Sequence, residues 1–175
     1  GPDQGLVRER ATMLAKSVTP DLSDPFRVAE IADGVLDSDP ARLWDEAAAL
    51  SMIGGRRVVR VKGAGNAQAK AFERFLDAPP GDALIVVEAG DLAKSAALRR
   101  VFEEADNAAA IACYSDNAES LESLVRAELK QRGLAIEDEA LAYAVSHLGS
   151  DRGVTRSEIE KLALYAMGEK TVTQA

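Results

Sequence analysis

"ALSMIGGRRVVRVK", Ala49–Lys62, runs from the end of a helical pattern through a glycine pair into a β-branched strand pattern. Upstream, in "DPARLWDEAA", Asp39 suits a helix cap and Pro40 the first helical turn, so the sequence predicts a helix over Pro40–Ile53. Leu43, Ala47 and Leu50, four and three residues apart, share one face of it. At about 100° per residue, Met52 projects away from that face and Ile53 lies on a flank. Gly54 and Gly55 then end the helix and turn the chain into "RRVVRVK". Spacing alone leaves two fates open for Met52 and Ile53: an anchor for a partner's apolar pocket, or packing under a neighbouring loop or against the C-terminal part of the chain.

The strand that follows is one of four short candidates. "FRVAEIA", "RRVVRVK", "ALIVVEA" and "AAAIACY" are bounded by Gly, Pro, Asp or Asn, and most have β-branched centres. Between them the helical period returns over Pro40–Ile53, Ala67–Leu76 and Ser95–Ala105, and "GLVRERATMLAKSV" forms an amphipathic helix before Pro20. Alternating strands and helices imply a mostly parallel sheet covered on both faces. From Asn117 onward only helical periods remain: a stripe of Leu121, Leu124, Val125 and Leu129, a second of Leu141, Ala144, Val145 and Leu148, and a third of Ile159, Leu162, Ala163 and Ala166. Gly133, Gly149 and Gly168 follow these helices. The expected architecture is therefore an α/β domain over 1–116 and a small three-helix domain over 117–175. Because helix comes almost first, an upstream apolar strand is also expected.

Composition narrows the chemistry. The 175 residues are 47% apolar and carry a net charge of −8, the wrong balance for neutralising phosphates, so a protein partner is expected rather than a DNA duplex. No apolar run approaches the roughly 20 residues of a membrane span and no signal-peptide pattern opens the chain, which points to a cytoplasmic location. The single cysteine, Cys113, lies in "AAAIACY" and reads as a small buried strand residue; no cysteine-based metal site is available. His147 flanks its helical stripe without a second ligand or nucleophile at an informative spacing. Glu103, Glu104, Glu137 and Glu139 read as solvated helix carboxylates.

A nucleotide-hydrolysing α/β domain needs a glycine-rich loop followed by Lys and Ser/Thr, and an acidic strand end for magnesium. Here the segment before the first helix is "GPDQGLVRER", and the strand end "RVVRVKGAG" presents Arg60 and Lys62. No catalytic residue, cofactor site or metal site is expected.

Three segments in this order, "DPARLWDEAAALSMIGGRRVVRVK", "DALIVVEAGDLAKSAALRRVFEE" and "GSDRGVTRSEIEKLALY", resemble the delta subunit of the bacterial DNA polymerase III clamp loader. The resemblance implies an AAA+-like domain with a mostly parallel sheet and flanking helices, followed by a helical lid domain. It also implies an accessory subunit of the polymerase holoenzyme that neither binds nor hydrolyses ATP, which agrees with the missing phosphate loop. In the family, a Ser and two large apolar residues at this position enter a hydrophobic pocket of the ring-shaped sliding clamp and help open it. The matching residues here are Ser51, Met52 and Ile53, followed by Gly54, Gly55 and Arg56, with Met-Ile standing where Leu-Phe is commoner. The partners implied are the sliding clamp and the other loader subunits, with DNA reached only through the assembled complex and no membrane. Nothing here corresponds to the family's C-terminal collar domain. Two other readings remain: a P-loop NTPase domain whose phosphate site lies upstream, and a generic α/β interaction module with Met52 and Ile53 in its core.

Overall fold

The computed structural model describes residues 1–149 and 151–174. Ser150 in "GSDRG" and Ala175 of "KTVTQA" lie outside the described residues. The chain forms two compact units, one of Gly1 and Val7–Ala112, the other of Pro2–Leu6 and the residues from Cys113 onward.

In the first unit the elements run α1 (Gln4–Lys16, whose first residues group with the second unit), β1 (Val28–Ile31), α2 (Val35–Ser38), α3 (Arg42–Ala48), β2 (Val58–Ala64), a single 3-10 turn at Asn66–Gln68, α4 (Ala69–Asp77), β3 (Leu84–Ala89) and α5 (Ala97–Glu104). The strands lie in the order β1-β2-β3, all parallel, with Val58 opposite Val28 on one side and Leu84 on the other. Successive strand residues face opposite ways, and both faces are apolar where helices cover them. Val59 and Val61 pack with Leu43, Phe72 and Leu98 from the connecting helices. Val58 and Val86 pack with Ala11 and Ala15 of α1.

The fourth predicted strand, "AAAIACY", is not a strand. A groove of about 550 Å³ lies between β3, which lines it with Leu84, Ile85 and Val86, and the segment that lines it with Ala108, Ala109 and Ile111. Among the described residues the sheet is limited to β1, β2 and β3, and the carbonyl of Ala112 accepts from the Arg10 guanidinium. Cys113 is buried all the same.

The second unit contains α6 (Ala118–Gln131), β4 (Ala135–Ile136), α7 (Asp138–His147), α8 (Arg152–Tyr165) and β5 (Thr171–Val172). Its core joins Val125 and Leu129, Leu141, and Ile159 and Ala163 from the three helical stripes. The parallel pairing of β4 with β5 has no counterpart in the sequence reading, since two residues carry no periodicity. Residues 2–6 group here because of reciprocal capping. The Asp3 carboxylate accepts from the amides of Leu6 (2.7 Å) and Arg152 (3.1 Å), while Asp151 accepts from Gly5 (2.7 Å), Gly153 (2.8 Å) and Val154 (3.1 Å). Hydrophobic spacing does not report such contacts.

Candidate functional site

The predicted helix over Pro40–Ile53 is shorter than expected: α3 ends at Ala48, and Ala49 is already extended, with φ −65° and ψ 134°. The last turn is closed from outside. Arg57 Nη1 donates to the carbonyls of Glu46 (2.7 Å) and Ala49 (3.3 Å), and Nη2 meets Glu46 Oε2 at 3.1 Å. On the other side Gly81, at φ +115°, lies so close to the Ala47 carbonyl that a Cβ would stand 2.9 Å from that oxygen.

Met52 and Ile53 consequently sit in a turn beyond the helix. The amide of Gly54 donates to the Ser51 carbonyl at 3.1 Å, and Gly54 and Gly55 both take positive φ, 80° and 83°, which a side chain would make costly. Met52 is 86% exposed and Ile53 66%. Leu50, assigned by spacing to the buried face with Leu43 and Ala47, is 89% exposed, because the helix that would have turned it inward has already ended. Three large apolar side chains therefore project from a seven-residue connection between Ala48 and Arg56, and the third was concealed by the assumption of an unbroken helix. Ser51 is half-buried and its hydroxyl has no hydrogen-bond partner. Arg56 is exposed, with Nε donating to the Asp82 carbonyl at 2.5 Å.

Several other polar residues singled out by sequence have partners of their own. Arg60 pairs with Glu88 at 2.6 Å and Lys62 with Glu30 at 2.7 Å, so each basic group at the strand end is held by a carboxylate on a neighbouring strand. His147 is exposed, its Nδ1 2.9 Å from the Tyr143 carbonyl. Glu103 pairs with Arg99 one helical turn away. Among the described residues there is no cluster of three or more His, Cys, Asp or Glu able to hold a metal ion, and no helix is long and apolar enough to cross a membrane. Burial pushes the Glu128 carboxyl up, but the hydrogen bonds and charges of Arg132 and Arg156 outweigh it and hold the group below the usual glutamate range.

The 49–56 loop thus presents apolar side chains to solvent on a short turn held by hydrogen bonds. No protein-family model matches the sequence. The chain is 24% identical over 177 residues to the "Probable DNA polymerase III subunit delta" of Rickettsia prowazekii (strain Madrid E), a match covering 99% of this chain and 51% of that protein. It also has the fold of the Bacillus subtilis DNA clamp loader delta protein (YqeN), with a TM-score of 0.65, 18% identity, and coverage of 98% of this chain and 54% of that one. The chain spans about half the length of both proteins. Both similarities fall on the family that the three quoted segments resemble, and the α/β fold with its parallel sheet and flanking helices is that of a clamp loader delta protein.

Proposed function

We propose that this chain is the AAA+-like and lid portion of a clamp-loader delta subunit in DNA replication, which binds and helps open the polymerase sliding clamp without itself hydrolysing ATP. The observation that carries the reading is the exposure of Met52 and Ile53 on the loop between α3 and the central strand β2. The shared identity with a polymerase III delta subunit and the matching fold support it from outside the site.

The work is mechanical. Ser51, Met52 and Ile53 enter an apolar pocket of the clamp, Gly54 and Gly55 supply the turn that presents them, and Arg56 offers its outer guanidinium donors to the pocket rim. A loop that binds the opened ring more tightly than the closed one shifts the population toward opening. Burying Met52 and Ile53 supplies about 3–6 kcal/mol at about 1.5–3 each, which alone corresponds to about millimolar to tens of micromolar binding. Leu50 raises that ceiling to about 9 kcal/mol, sub-micromolar, before the cost of association. Other loader subunits, joined in the full-length protein, provide the ATP chemistry, and DNA is met only in the assembled complex, in the cytoplasm.

Ring opening is tested by release of a bacterial sliding clamp from circular DNA. This chain accelerates release, and the Met52→Ala, Ile53→Ala double variant does not. Release at the same rate with both proteins rules the proposal out.

A further inference from the structure

We propose that Arg57 and Arg27 are positioning residues for the Leu50–Ile53 loop, each fixing one end so that the apolar tip is held away from the sheet before a partner arrives. The inference rests on the clamp-docking reading for its functional consequence, but its structural half stands alone.

At the helix end, the Arg57 guanidinium is buried, with only 8% of the residue exposed. It spans two carbonyls, Glu46 and Ala49, and the Glu46 carboxylate, whose other oxygen is held by Arg42 at 2.6 Å. Ala49 is the last residue before the exposed tip. The backbone carbonyl of Arg57 accepts from the Leu84 amide at 2.9 Å, so the same residue that closes α3 is fastened to β3. The Arg57 bonds come from two nitrogens of a planar fork, whereas an ammonium carries its three donors on a single nitrogen at the end of a flexible stem.

At the strand end, Arg27 takes the corresponding part. Its Nη2 donates to the carbonyls of Val18 (2.9 Å) and Arg56 (3.2 Å), and its Nε to Arg56 (3.4 Å). The guanidinium lies against Gly55: a Cβ there would stand 3.2 Å from Nη2. The amide of Val58 donates to the Arg27 carbonyl at 2.8 Å, which ties this brace to β2. Between the two arginines the tip holds itself with the Ser51–Gly54 turn, and its three apolar side chains gain little from the rest of the unit. Without the braces such side chains fold back onto apolar surface, and the docking geometry becomes a minor conformer. Apparent affinity falls by the fraction of time the competent conformer is lost, so a loop competent a tenth of the time binds about tenfold more weakly.

The test uses Arg57→Lys and Arg27→Lys, made separately in this chain, with three readouts. These are thermal unfolding, the backbone amide order parameters of residues 50–54 from nitrogen-15 relaxation, and affinity for a bacterial sliding clamp. Expected results are a retained fold, order parameters falling from the rigid range of about 0.85 toward 0.6, and a Kd raised about tenfold. In the Met52→Ala, Ile53→Ala variant the loop stays ordered while clamp binding is lost, which separates presentation from contact. If both lysine variants keep the parent's loop order, the proposal is overturned. Should Arg57→Lys fail to fold, Arg27→Lys decides by the same criterion. A parent that does not bind the clamp ends the docking reading, while the order parameters still decide whether the arginines hold the loop.

Discussion

Leu43 and Leu50 share a helical face by spacing, but the structure separates them completely, and alanine substitution at each measures that separation. Leu43 is fully buried among Ile31, Val59 and Phe72, whereas Leu50 is 89% exposed beyond the end of α3. Truncating a fully buried leucine costs about 2–5 kcal/mol, from lost transfer energy plus the cavity left behind. Truncating an exposed one changes stability by at most about 0.5 kcal/mol. For a unit of about a hundred residues, each kcal/mol moves Tm by about 4–8 °C, so Leu43→Ala lowers it by at least about 8 °C and Leu50→Ala by less than about 4 °C. Trp44, the only tryptophan, stands edge-on to Phe75 with ring centroids 5.5 Å apart and belongs to the same core, so its fluorescence follows unfolding of the first unit specifically. This choice of probe matters because a chain of two compact units need not unfold in one step. A loss of 2 kcal/mol or more in Leu50→Ala refutes the reasoning: α3 then continues, Leu50 packs inward, and the exposed apolar loop does not exist as described.

Three other outcomes follow, two from the structure and one from the proposed function. Asp151→Ala removes the acceptor for the amides of Gly5, Gly153 and Val154 and destabilises the second unit by about 1–2 kcal/mol, read as a lower urea midpoint. Glu128 has its folded pKa held below the ordinary value of 4.5, so the stability it contributes is complete above pH 4.5 and is lost as pH falls through the folded value. Glu128→Gln therefore weakens the protein at neutral pH and flattens its acid limb in pH-dependent urea unfolding; an unchanged acid limb contradicts the assignment. Finally, the proposed function predicts ATP turnover at background level for the full-length protein, and turnover that depends on a Gly-Lys-Ser/Thr loop upstream of Leu6 would replace the clamp-loader reading with the NTPase one.

The alternation of "FRVAEIA", "RRVVRVK" and "ALIVVEA" with helical periods located β1, β2 and β3 because a parallel sheet buried on both faces leaves a local signature of β-branched runs between turn residues. The three C-terminal stripes located α6, α7 and α8 for a similar reason: each buries one face of a helix in one core. "AAAIACY" has strand-forming composition, but pairing requires a neighbour within ladder distance, a tertiary condition that composition does not carry. The end of α3 was hidden for a related reason. Leu43, Ala47 and Leu50 keep helical spacing, yet the last turn is closed by Arg57, just before β2, and by the approach of Gly81, and helical spacing registers neither contact. Exposure of Met52 and Ile53 beside a glycine turn was one of the two fates their spacing left open; the exposure of Leu50 and the contacts of Arg57 and Arg27 were not legible.

The central claim, that the Leu50–Ile53 loop docks on a sliding clamp, is tested most directly by calorimetric titration of a bacterial sliding clamp with this chain and with its Met52→Ala, Ile53→Ala variant. The account predicts saturable binding by the parent. It predicts that the variant loses about 2–4 kcal/mol of apolar burial, about 30- to 1000-fold in Kd, with Tm unchanged because both side chains are exposed in the free protein. Equal binding by the two proteins, or a folded parent that does not bind, contradicts it.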